Sequence, residues 1–97
     1  MLAYVVLYRW TDQGVRNAKE SVARARDFSA AVEKAGGKVG KIYWTQGRYD
    51  LVAVAEFPNE ETAMILSLTL SKLGNVRTET LRAFSAEEME SILKKVP

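Results

Sequence analysis

The chain has 97 residues, 47% of them hydrophobic and 27% charged, with a formal net charge of +2. That length gives one domain, residues 1–97, with one modest core, and the mild basic excess reads as a solvated surface. There is no cysteine and no histidine, which excludes disulfides, thiolate nucleophiles, Ser-His-Asp catalysis, and thiolate or imidazole sites for zinc or haem.

Leu2 to Trp10 is rich in Val, Tyr and Leu and reads as a strand, not as a signal peptide, because it lacks a basic start and a small-residue cleavage site. Both of its faces are largely apolar: Ala3, Val5, Leu7 on one, Tyr4, Val6, Tyr8 and Trp10 on the other. Thr11 or Asp12 can cap the helical segment that follows. From Val15 to Ala35, apolar residues recur at three- and four-residue steps through Val22, Ala25, Phe28 or Ser29, Val32 and Ala35. Ser21 marks a break or a second start within it. Gly36-Gly37 ends it, since glycine takes the left-handed cap conformation at little steric cost.

Two more strands are expected, Val39 to Gln46 and Leu51 to Phe57, joined by the short Gly-containing connection Gly47-Arg48-Tyr49-Asp50. Pro58 stops the third strand. Asn59 caps a second helix, with Glu60 and Glu61 at the positive end of its dipole. Ala63, Leu66, Leu70 and Leu73 form one stripe, and Met64, Ile65 and Leu68 widen it beyond what one sheet face needs. After Gly74-Asn75 comes a fourth strand, Val76 to Phe84. Ser85 and Glu88 form a capping box for a short amphipathic helix through Met89, Ile92, Leu93 and Val96. No apolar run approaches the ~20 residues that span a bilayer, so a cytoplasmic protein is expected, with neither membrane nor nucleic acid as partner. An RNA-binding domain of this strand order would carry stacking aromatics on the third strand, where this chain has Leu51-Val52-Ala53-Val54-Ala55.

This order predicts an α+β, ferredoxin-like βαββαβ fold: a four-stranded antiparallel sheet with two helices on one face and a short C-terminal helix. A sheet with one wet face should alternate apolar and polar residues. The first and third strands do not alternate, so the face without helices needs a cover. A second copy related by a two-fold axis is the expected cover, giving a homodimer or higher oligomer. The alternative is the C-terminal helix folded over the sheet.

Gly47-Arg48-Tyr49-Asp50 and the run from Gly74-Asn75-Val76-Arg77-Thr78 through Phe84 resemble the GYD domain family, small proteins marked by a Gly-x-Tyr-Asp signature. Tyr43-Trp44-Thr45, Thr11 and Gly14 fit the same pattern, and the likeness covers nearly the whole chain. It implies a fold of the dimeric α/β-barrel type and supplies no reaction.

Candidate site residues follow. Tyr49 and Asp50 read in two ways: as hairpin residues, with Asp50 accepting turn N–H groups, or as pocket residues, with Asp50 as base or carboxylate ligand once burial raises its pKa. Thr78, Thr80 and Arg82 share one face of the fourth strand. They are either strand formers or the lining of a cavity between sheet and partner, where Arg82 holds an anion. Tyr8, Tyr43 and Thr45 are further candidates for a wall against a flat apolar ligand. No cofactor and no metal are expected. The functional readings are a homo-oligomeric module that binds a small molecule or only assembles, or a metal-free, oxygenase- or isomerase-like enzyme using Tyr49, Asp50 and Arg82.

Overall fold

In a computed structural model describing residues 1–97, strand β1 (Leu2–Trp10) leads through a short helix α1 (Asp12–Arg16) and a 3-10 turn (Ala18–Glu20) into helix α2 (Ser21–Lys34). Strands β2 (Lys38–Trp44) and β3 (Leu51–Phe57) follow, then helix α3 (Glu60–Lys72), strand β4 (Val76–Ala83) and helix α4 (Ala86–Leu93). The sheet order is β2-β3-β1-β4 and every pairing is antiparallel, which is the expected ferredoxin-like arrangement. No helix is long and apolar enough to cross a membrane.

The helical stretch expected from Val15 to Ala35 is therefore three pieces. Thr11 caps α1 by accepting the Gly14 N–H. The chain restarts at Ser21 because Ser21 faces inward: it is buried, and its hydroxyl accepts the indole N–H of Trp44 at 3.1 Å. Ala25, Phe28 and Val32 of the stripe read in the sequence still face inward, and only its two ends, Val22 and Ala35, turn out. Val32 is fully buried, while Val22 is 45% exposed.

The core lies between the helices and one face of the sheet. Tyr4, Val6 and Tyr8 of β1 meet Leu51, Ala53, Ala55 and Phe57 of β3, Val76 of β4, Val32 of α2, and Ala63 and Leu66 of α3. The alanines at 53 and 55 let the helices sit close to the sheet, and Tyr4 packs edge-on against Phe57 with ring centres 5.7 Å apart. The apolar excess of α3 stays outside this core: Met64, Ile65 and Leu68 are all more than half exposed.

The other face of the sheet carries Val5, Leu7, Val52 and Val54 at its centre, with Leu81 across from Val5 and Tyr43 across from Val52. Val54 is 44% and Leu81 45% exposed. The C-terminal helix does not cover this face. No residue of α4 is buried, and the molecule extends over 50 × 31 × 19 Å. Its radius of gyration is 14.6 Å, against about 12.5 Å for a compact chain of this length.

Candidate functional site

Two features of the fold can hold a partner or ligand: the bare sheet face, and a cleft beneath the helices. The Gly-x-Tyr-Asp segment borders the first and, through Asp50, holds the backbone of Trp10, which lines the second.

That segment is not a tight hairpin. Trp44 pairs with Leu51, so residues 45–50 form a longer loop. Gly47 takes φ 105°, which favours glycine. The Thr45 hydroxyl donates to the Tyr49 carbonyl at 2.6 Å, and the Thr45 N–H to the Asp50 carbonyl at 2.9 Å, which makes Thr45 a loop residue. The Asp50 side chain does not serve the turn. Its carboxylate accepts the backbone N–H of Trp10 at 2.8 Å, and its own N–H donates to the Tyr8 carbonyl at 2.8 Å. Asp50 thus extends the β1–β3 ladder by one step and holds the end of β1.

Tyr49 leans toward the bare face. Its ring lies beneath the guanidinium groups of Arg9 and Arg48, at 5.5 and 5.7 Å. Its hydroxyl is 3.4 Å from both carboxylate oxygens of Glu79. With Arg77 beside Arg9 in the register, these groups form a polar rim at one end of the apolar patch. Lys38 and Glu56, paired across β2 and β3, form the other end. Tyr43, 57% exposed, belongs to the same face.

Thr78, Thr80 and Arg82 are on the opposite side from where a cavity between sheet and partner requires them. They pair with Tyr8, Val6 and Tyr4, so they share the helix-covered face. The physical reason is the strict two-residue alternation of a strand: with Val76 buried under α3, every second residue after it points the same way. Arg82 is already engaged. It lies over the rings of Phe84 at 4.6 Å and Tyr4 at 5.7 Å, donates to the carbonyls of Ala3 and Ala83, and reaches Glu88 at 3.9 Å. Asp50 bonds Tyr8 and Arg82 stands beside Tyr4, which puts them about 13 Å apart along β1 at the usual strand rise. Tyr49, Asp50 and Arg82 therefore do not converge on one small substrate.

Tyr8 is the sequence candidate that lines a sizeable cavity; Thr78 borders only a void of about 20 Å³ beside it. Between α2, α3 and the sheet lies a cleft of about 230 Å³, walled by Tyr8 and Trp10 of β1, Ala25 and Phe28 of α2, and Leu66 and Leu70 of α3. Burial pushes the Tyr8 hydroxyl up to about 12, so it stays a neutral phenol. Arg24 and Asp27 also border the cleft. The sequence reading missed Arg24; the one available signal was a basic residue one step before the apolar stripe of α2.

The remaining signature residues make a junction at the end of the cleft. Thr11 donates its hydroxyl to the Gly74 carbonyl at 2.6 Å and its N–H to the Asn75 carbonyl at 3.1 Å. The Gln13 amide donates to Leu73 and Asn75. Gly14 must be glycine there, because a Cβ would stand 2.0 Å from the Asn75 carbonyl oxygen.

Comparison with known proteins gives the family and agrees with the fold. The family model described as GYD domain matches residues 4–93. A curated protein of Thermus thermophilus, named glutamine synthetase and cystathionine beta-lyase binding protein, is 30% identical over 95 residues, spanning 97% of this chain and 100% of that protein. The crystal structure of TTHA0845 from Thermus thermophilus superposes with a TM-score of 0.57 at 28% identity, covering 89% of this chain and 96% of the other.

Proposed function

The chain belongs to the GYD domain family, and from that premise we propose that it is a binding module that pairs with a second copy through its bare sheet face and presents its helical side to another protein. The observation that carries this is the uncovered apolar centre of the sheet, Val5, Leu7, Val52, Val54 and Leu81, flanked at one end by Arg9, Arg77, Glu79 and Tyr49 and at the other by Lys38 and Glu56. An apolar centre with a polar rim is the anatomy of a protein interface. A two-fold axis makes one such patch complementary to itself. The strands place it where the chain's own helices cannot reach, and α4 stands away from it.

The outward strip of α3, Met64, Ile65 and Leu68, stays free in such a pair and supplies the surface for a different protein. The relative named for binding glutamine synthetase and cystathionine beta-lyase supports an enzyme as that protein, met in the cytoplasm.

Native mass spectrometry tests the pairing first. A dimer for the wild type and a folded monomer for Val54→Asp are expected. A wild-type monomer at tens of micromolar sinks the reading. The second step is co-sedimentation of the wild type with glutamine synthetase and with cystathionine beta-lyase. Co-migration that survives Val54→Asp but is lost in Ile65→Asp assigns enzyme binding to α3; loss in neither removes α3 from the proposal.

A further inference from the structure

Two residues that line the cleft between α2 and α3 carry a side-chain nitrogen with nothing to bond. The indole Nε1 of Trp10 and the Nη2 of Arg24 are both buried and both lack an acceptor, and both residues line the cleft. The rest of the guanidinium is fixed, since its Nη1 donates to the Asn17 carbonyl at 2.7 Å. Buried donors are nearly always satisfied in native proteins, and an orphan calls for an explanation. Two orphans on residues that line one apolar cleft, one from β1 and one from α2, call for the same one.

We propose that the cleft is a binding site for a small molecule with a single apolar ring and a carboxylate, the carboxylate taking the N–H groups of Trp10 and Arg24. Size sets the ring count: a void of about 150 Å³ lined by apolar side chains holds benzene, and this cleft, at about 230 Å³, adds room for a short acidic substituent. The chemistry of the walls sets the rest. Phe28, Leu66 and Leu70 give a ring its apolar contacts, while Trp10 and Arg24 give a pair of donors, one of them charged. Charge-assisted hydrogen bonds are the stronger kind, which favours an ionised acceptor over a neutral one. Asp27, the acidic residue at the border, is exposed, so its charge is met by water at the mouth.

The Tyr-Asp signature acts here through a neighbour. Asp50 holds the backbone of Trp10 and so fixes where the indole stands; it is a positioning residue for the site. The cleft is on the face opposite the proposed dimer contact, so this inference and that reading fail separately.

The test is titration of the full-length protein with phenylacetate and with ethylbenzene, following the Trp10 indole N–H resonance by NMR. Saturable binding of phenylacetate is expected, with a downfield shift of that resonance and a Kd at least tenfold below that of ethylbenzene. In Arg24→Met the preference for phenylacetate should fall to threefold or less while ethylbenzene affinity is unchanged. Equal affinity for the two probes in the wild type, or no saturation by either, overturns the proposal without reference to any variant. If phenylacetate shifts only the resonances of Val54 and Leu81, the ligand belongs to the bare face and the proposal is also wrong.

Discussion

Asp50 shows how a signature residue can read as one thing locally and act as another. In the sequence it looks like a turn carboxylate or a base. In the fold its oxygen partner is the N–H of Trp10, forty positions away along the chain. No local pattern contains that pairing, because it depends on the register between β1 and β3. Asp50→Ala leaves the Trp10 N–H without its charged acceptor and is expected to lower stability by about 1.5–3 kcal/mol, measured by urea unfolding; Asp50→Asn should lose less, since an amide oxygen can still accept. Gly14 is the second such case. In the sequence it only fits the family pattern, yet its place is set by the Asn75 carbonyl oxygen, 2.0 Å from where a Cβ would be. Gly14→Ala must push α1 off the loop before β4, with an expected cost of about 1–3 kcal/mol or more, visible as a lower unfolding midpoint at unchanged slope.

Elements were easier to read than residues. The four strands, the break at Ser21, the caps at Asn59 and Ser85 and the end of α3 at Gly74 all rest on short-range signals, and the structure contains each of them. What periodicity could not give was the start of the inward face of α2, because that position went to a serine with a tryptophan partner. The α4 helix lends itself to an acid test. The Ser85 backbone N–H, then the Ser85 side chain, hold the Glu88 carboxyl below its ordinary value, with Arg82 adding to the effect. A carboxyl lowered by folding stabilises above its unfolded pKa, and that support is lost as pH falls through the lowered value. Protection of the amides of residues 86–93, taken relative to the intrinsic exchange rate at each pH, should therefore fall at pH values below the usual carboxylate range and recover at pH 6. Ser85→Ala should show the lowered protection already at pH 6. Protection that stays constant from pH 6 to 2 would mean that the box does not hold the helix.

At the scale of the whole molecule, the two-sided apolar pattern of β1 and β3 was legible, and it put a bare face where the structure has one. The cleft was not legible, since its volume depends on how far apart α2 and α3 settle over the alanines of β3. The orphan donors follow from that spacing. Because α4 buries none of its residues, removing residues 86–97 should leave the thermal midpoint of the remaining body within about 2 °C. If the bare face is the contact proposed above, that midpoint should also climb with protein concentration, as it must for any fold coupled to association. A midpoint independent of concentration over two decades counts against the pairing.

The β2 edge has one further consequence. Its register with β3 breaks between Val39 and Ile42, where Gly40 and Lys41 interrupt the ladder, and Lys38 adds a charge beside them. An open strand edge is a template on which identical chains can polymerise into fibrils, and a kink with lysines is one of the ways proteins blunt it. The chain can therefore expose a broad apolar face and still resist ribbon-like growth, because this edge does not offer a further chain a repeating row of hydrogen bonds.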